Sequence, residues 1–277
     1  MTYKQIKNLR EQEFKRLCGV KPELFKKMVE VLKEKSPKGR PRGGQAKLSF
    51  EDQLLITLEY WREYRTYFHI AQSWGVHEST VCRTVHRVED RLIKSNKFSL
   101  PGKKSLSNTQ TEWSVIVIDV AESPIERPKK KQRSYYSGKK KKHTLKSQIV
   151  IEPDSLKVIC TAHGKGKEHD FQLFKSSKLK PIESIEIMAD KGYQGIKKIH
   201  RLSYTPMKKS KKKSLTSKEK EYNRELAKQR IYVEHVIRCL KIFRILAQPY
   251  RNRRRRFGLR FNLISGLYNS GLDLAIA

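Results

Sequence analysis

Residues Trp113–Val120 read WSVIVIDV and residues Ser184–Asp190 read SIEIMAD, two short apolar runs that each arrive at an aspartate. Runs of this length, rich in β-branched residues and without helical spacing, predict buried strands. Between them, His143–Glu152 (HTLKSQIVIE) and Leu156–His163 (LKVICTAH) predict two further strands, and Pro153-Asp154-Ser155 turns the chain from one to the other as a hairpin. Asp170–Lys178 predicts a short helix, Tyr204–Met207 a fifth strand, and Ser217–Gln248 one long helix ended by Pro249. Phe261–Ala277 predicts a helix that closes this domain. Strands first, then a helix, a strand and a long helix is an α/β order with a mixed sheet.

Upstream, the periodicity is helical. Phe14, Leu17, Val20, Leu24, Phe25, Met28, Val31 and Leu32 recur at helical spacing over residues 1–35, which predicts one or two amphipathic helices. Ser36–Ala46 (SPKGRPRGGQA) is a basic Pro/Gly linker that cannot continue a helix. Helix resumes over 48–95, with Ser49 as N-cap and Glu51 and Asp52 in the first turn. Within it, Thr66–Arg91 carries a helix-turn-helix pattern, with Ile70 and Ala71 packing the first helix, Gly75 at the sharp turn and Val76 anchoring it. Ser79, Thr80 and Arg83 open the second helix, the end that meets base edges when such a helix lies in a major groove. An ordinary helical pair has the same pattern. The chain therefore divides into a helical region over 1–95 with the helix-turn-helix at about 45–95, a connector over 96–111 and the α/β domain over 112–277. That α/β order is compatible with an RNase H-like core, and periodicity by itself also admits other mixed-sheet folds.

Charge narrows the partner. Lys and Arg total 62 against 28 Asp and Glu, a formal charge of +34. Such an excess points to a polyanion, nucleic acid before an anionic membrane. No run approaches the roughly 18 to 20 apolar residues of a membrane span. The opening MTYKQIKNLREQEF lacks a signal peptide's apolar core, which predicts a cytoplasmic protein. Cys18, Cys82, Cys160 and Cys239 form no CxxC pair and read as reduced packing thiols. Three basic tracts, Lys129–Lys142, Lys208–Lys213 and Arg251–Arg256, are candidate phosphate contacts, and solvated charged loops have the same composition. Tyr135 and Tyr136 sit within the first, where an aromatic ring can stack on an unpaired base.

Acids are scarce, so their positions are informative. Asp119 and Asp190 stand at the carboxyl ends of apolar strands, where open α/β folds place ligands. Two carboxylates on neighbouring strands can share hard divalent cations, although a strand-end Asp also simply caps turns. In Arg230–Lys241, a helical turn of roughly 100° per residue brings Arg230, Glu234 and Lys241 within about 40° of one another. Val233, Val236, Leu240 and Phe243 form a separate apolar arc. A salt-bridged surface stripe has this pattern too.

Asp119, Asp190 and Glu234 together resemble the DDE triad of insertion-sequence transposases, specifically insertion-sequence family five and its eukaryotic Harbinger relatives. The resemblance covers nearly the whole chain. It runs through VIVIDVAESPIERPKKKQRSYYSGKKKKHTLK around Asp119, His169-Asp170-Phe171, and Ala189-Asp190-Lys191-Gly192-Tyr193. Arg230, Glu234 and Lys241 match the spaced Tyr, Arg, Glu, Lys signature around the third acid, whose tyrosine falls at Ala227 here. That departure puts in question any DNA contact the tyrosine makes, and not metal binding.

The resemblance implies a transposase that binds the terminal inverted repeats of its element, then cuts and rejoins double-stranded DNA by two-metal phosphoryl transfer. Asp119 would bridge two Mg²⁺ (or Mn²⁺) ions roughly 3.5–4 Å apart, with Asp190 and Glu234 completing one coordination sphere each. Arg230 and Lys241 would grip phosphates beside the scissile bond. Asp170 would support the site or cap its helix, and His163 and His169 read as DNA-contacting or structural. Pairing of two element ends implies a homodimer or larger assembly, in a bacterial cytoplasm and on nucleoid DNA. Two other readings use the same residues: a DNA-binding protein that has lost catalysis, and a stand-alone RNase H-like nuclease.

Overall fold

A computed structural model describes residues 2–34, 48–209 and 214–276. The linker Ser36–Ala46 lies outside the described residues, as does 210–213 of the tract Lys208–Lys213. The chain forms two compact units, one of residues 1–99, 241–248 and 259–277 and the other of residues 100–240 and 249–258.

The first unit is helical. It contains α1 (Tyr3–Ile6), α2 (Glu11–Cys18), α3 (Pro22–Glu34), α4 (Phe50–Arg62), α5 (Tyr67–Trp74) and α6 (Glu78–Lys94). Three helices, rather than one or two, fill the region before the linker: α1 ends at Ile6, and Gly19, left-handed at φ 82°, separates α2 from α3. Ser49 caps α4 as expected, its hydroxyl accepting from the Asp52 amide at 3.0 Å. Gly75 ends α5 at φ 59°, and the Val76 amide closes the turn on the Ala71 carbonyl at 3.1 Å.

The sequence places Phe261–Ala277 with the α/β domain; the structure places most of that helix, which spans Phe257–Ile276, with the N-terminal helices. A buried ion pair links it to α6. Arg260 Nε lies 2.6 Å from Glu89 Oε1 of α6, and both residues are fully buried. Trp61 Nε1 donates to the same carboxylate oxygen at 3.0 Å, and the guanidinium lies over the Tyr60 ring at 5.2 Å. A buried carboxylate without its cation would be costly, so this helix is required by α6.

The second unit is built on β1 (Val115–Pro124), β2 (Tyr136–Ser137), β3 (Lys142–Ile151), β4 (Val158–Lys165), β5 (Glu186–Ala189) and β6 (Ser203–Tyr204). β4 pairs with β3, and the order continues β3-β1-β5-β6, with the short β2 on the free end of β3. β1–β3 and β3–β4 are antiparallel, whereas β1–β5 and β5–β6 are parallel. This mixed sheet, with its hairpin extension and parallel half, is the RNase H-like arrangement.

Its helices are α7 (Gln132–Tyr135), α8 (Asp170–Ser176) and α9 (Ser217–Lys241), with the last helix as α10 (Phe257–Ile276). Ile116, Val117 and Ile118 are all fully buried, so β1 is covered on both faces, which explains its unbroken apolar run. The expected connector 96–111 is partly structural. A 3-10 turn over Lys103–Ser107 buries Leu106 in the sheet's core, and the Leu106 carbonyl accepts from the Ile182 amide at 3.0 Å. The long helix stops at Lys241 rather than Gln248, since Phe243, Ile245 and Leu246 are all buried and cannot share one helical face.

Candidate active site

Parallel pairing of β1 with β5 matches Ile118 to Ala189, the last pair in the ladder. Asp119 and Asp190 are the next residue on each strand. They therefore stand side by side where the β1–β5 ladder ends, across a strand spacing of about 4.8 Å. Asp190 directly follows β5, whereas Asp119 lies within β1, which runs on to Pro124 paired with β3 instead of ending at the aspartate as expected. Each carboxylate is fixed by a local amide: Asp119 Oδ1 accepts from the Val120 amide at 2.8 Å and Asp190 Oδ1 from the Lys191 amide at 2.6 Å.

Asp170, the first residue of α8, reaches the same place. A β-carbon built on Gly192 would lie 2.5 Å from Asp170 Oδ2, so the glycine of Asp190-Lys191-Gly192-Tyr193 leaves room for that carboxylate. Lys146 of β3 holds the other oxygen, with Nζ 2.8 Å from Asp170 Oδ1 and 2.7 Å from the Glu168 carbonyl. Sequence reading passed over Lys146 among the many lysines. Its signal was charge: it is the one charged residue between Leu145 and Ile151. Tyr193 is fully buried, with its ring edge-to-face on Phe174 at 6.2 Å and its hydroxyl 3.5 Å from Gln148 Oε1. Burial first, then the nearby Asp119, Asp170 and Asp190, keeps that phenol protonated.

From α9, Arg230 brings Nη1 to 3.3 Å from Asp190 Oδ1. Glu234, one turn further on, is exposed. Among the described residues no three His, Cys, Asp or Glu side chains are gathered closely enough to hold a metal ion. Asp119, Asp190, Asp170 and Arg230 are close enough to act on one another electrostatically, and Glu234 stands on the helix that carries Arg230, one turn away. Ala227 is exposed on the same helix, and Lys241 is its half-buried final residue.

Asp119 is the perturbed acid. Burial pushes its carboxyl up to about 6; the Val120 amide and Arg230 pull it down, while Asp190 and Asp170 raise it further. A desolvated carboxylate beside two like charges gains most from a compact divalent cation, and paired aspartate oxygens are the donors that Mg²⁺ and Mn²⁺ prefer. On that ground Asp119 and Asp190 fit such an ion.

Comparisons with known proteins give the family. The family described as "DDE superfamily endonuclease" matches residues 118–269, and "Helix-turn-helix of DDE superfamily endonuclease" matches residues 46–98. The chain belongs to the DDE superfamily endonucleases. It is 54% identical over 274 residues, 99% of each chain, to the "Probable transposase for insertion sequence element IS702" of Microchaete diplosiphon. No solved structure matches it.

In this endonuclease two basic tracts far apart in sequence are knitted together. The Tyr250 amide donates to the Pro124 carbonyl at 2.9 Å, and Ile125 and Tyr250 form a parallel bridge. Arg254 then lies over the Tyr135 ring at 4.6 Å. Tyr136 is 43% exposed, edge-to-face with His143 at 5.7 Å, and lines an open pocket with Arg127, Arg133 and Lys167. His163 is instead packed, its ring against Phe257 at 5.6 Å and bonded to Ser147 at 3.0 Å.

In the helix-turn-helix, Ser79 and Arg83 are exposed and Thr80 is half-buried at the start of α6. Arg83 Nη2 donates to Ser79 Oγ at 3.0 Å. No helix among the described residues is long and apolar enough to cross a membrane.

Proposed function

We propose that this endonuclease is the transposase of an insertion sequence: it binds the ends of its element, cuts there and joins the freed 3′ end to target DNA. The observation that carries the reading is the side-by-side placement of Asp119 and Asp190 one residue beyond the last β1–β5 pair. The relative's name and the helix-turn-helix support it.

Asp119 and Asp190 would hold divalent ions of the Mg²⁺ or Mn²⁺ type, two in the working site, and Glu234 would complete the ligand set from α9. Such ions, when bound, lower the pKa of a nucleophilic water or hydroxyl and neutralise charge on the leaving oxygen. Asp170, held by Lys146, positions the Asp190-Lys191-Gly192 turn. Arg230, Lys241 and the Arg254–Tyr135 surface take backbone phosphates, and Tyr136 faces the DNA beside them. Ser79, Thr80 and Arg83 contact base edges. Two copies are needed to hold two ends.

The test is a strand-transfer assay with DNA carrying the element's ends. Joining supports the transposase; cutting without joining makes the chain a nuclease. Binding alone would make it a catalytically silent DNA-binding protein. Glu234→Gln is expected to keep DNA binding and abolish cleavage.

A further inference from the structure

The aspartate pair already has a cation beside it. Arg230 is 14% exposed at its side chain, places Nη1 3.3 Å from Asp190 Oδ1, and acts electrostatically on Asp119 as well. Its Nε is buried without a hydrogen-bond partner. The cluster's other cation is different. Lys146 is anchored twice, on Asp170 and on the Glu168 carbonyl. A guanidinium is a planar fork suited to paired oxygens, and a buried donor left unsatisfied is unfavourable. Lys146 is thus settled in its place, whereas Arg230 makes one long ion pair and retains an unused donor. A phosphodiester offers the two oxygens that its fork lacks here.

We propose that Arg230 is a resident counter-ion of Asp190 in the free protein, and that a DNA phosphate draws the guanidinium away and releases Asp190 for a divalent ion. This rests on the reading of Asp119 and Asp190 as metal ligands. It makes DNA and metal binding mutually reinforcing, since each favours the arrangement in which Arg230 has left the carboxylate. The energetic sense is specific. If Arg230 only grips DNA, removing it leaves metal binding by the free protein unchanged. If it only braces Asp190, removing it weakens metal binding. A resident competitor, once removed, strengthens it.

The experiment is a Mn²⁺ titration of the full chain, reading free Mn²⁺ by its electron paramagnetic resonance signal. Without DNA, Arg230→Met is expected to bind Mn²⁺ at least about tenfold more tightly than the unaltered protein, a coupling of ordinary size. Arg230→Lys, which keeps a cation, stays near the unaltered value. A 20-base-pair duplex, with its own Mn²⁺ binding subtracted, tightens binding by the unaltered protein and has little effect on Arg230→Met. If Arg230→Met lowers the melting temperature, Arg230→Gln carries the same expectation.

Equal or weaker Mn²⁺ binding by the neutral variants overturns the proposal. Asp119→Asn separates the two levels. If it removes Mn²⁺ binding while the Arg230 variants change nothing, only the counter-ion role falls. If Mn²⁺ binding survives Asp119→Asn, the metal-ligand reading itself has failed.

Discussion

Gly192 has no side chain where Asp170 has its carboxylate: a β-carbon there would come within 2.5 Å of Asp170 Oδ2. One aspartate at the head of α8 is thereby packed onto the turn that follows another aspartate at the end of β5. Gly192→Ala introduces no left-handed strain and one steric conflict. It should push Asp170 off Lys146, cost about 1–3 kcal/mol of stability, and lower the DNA-cleavage rate at least tenfold, roughly 1.4 kcal/mol in barrier. Denaturant titration and single-turnover cleavage measure the two effects; an unchanged rate would remove Asp170 from the site.

Asp119 should make the free protein's stability depend on pH. Its carboxyl titrates at about 6 in the folded chain against about 3.9 in an unfolded one. The shift is upward, so the folded state holds the proton more tightly, and stability falls as pH rises from about 4 to about 6. Above that window the ionised, desolvated Asp119 destabilises the metal-free fold by an amount on the order of 2–3 kcal/mol. Asp119→Asn should therefore be the more stable protein at pH 7.5 in a chelator, should lose that advantage below pH 4, and should not cleave DNA. Melting curves at the two pH values decide it, and an advantage that is the same at both would rule out desolvation as its source.

The Glu89–Arg260 pair predicts an asymmetric double-mutant cycle. Arg260→Met leaves a fully buried carboxylate without its cation and should cost about 3–5 kcal/mol. Glu89→Gln in the same chain restores neutrality and should recover part of that loss. Because Glu89 lies on α6, the single variant should also weaken DNA binding although Arg260 is buried and cannot touch DNA. Urea titrations of the four proteins, beside a DNA-binding isotherm, test both statements; additive effects would show that the two residues act separately.

Arg254 should contribute charge rather than sequence discrimination. Arg254→Ala is expected to weaken binding to specific and random duplexes alike and to reduce the slope of log affinity against log salt by about 0.9, the signature of one phosphate contact. A loss confined to one sequence would place Arg254 at a base edge instead.

Much of this was legible in the chain because local chemistry and tertiary role coincide there. The run of β1 is apolar on both faces and rich in β-branched residues, the pattern of a buried strand, and the aspartate that interrupts it marks where the pairing with β5 ends. Gly75 announced the turn between α5 and α6 by its need for positive φ. What escaped was set by partners distant in sequence. Lys146 is one of many lysines until β3 is placed beside α8. Leu106 looked like part of a polar connector until the Ile182 amide pinned its turn to the sheet. The final helix follows the α/β domain in the chain, and its pairing with Glu89 of α6 involves a residue too distant in sequence to be read from periodicity. Helical phase groups Arg230 with Glu234, and the contact of Arg230 with Asp190 shows that this part of α9 reaches the sheet.

The pairing of Glu89 with Arg260 also sets a timetable. The two are separated by 171 residues, which a ribosome adding roughly 5–20 residues per second takes on the order of ten to thirty seconds to traverse. Throughout that interval α6 emerges with an acid in its hydrophobic face and nothing to neutralise it. The helical unit is therefore finished last, after the sheet that carries the aspartates has been made.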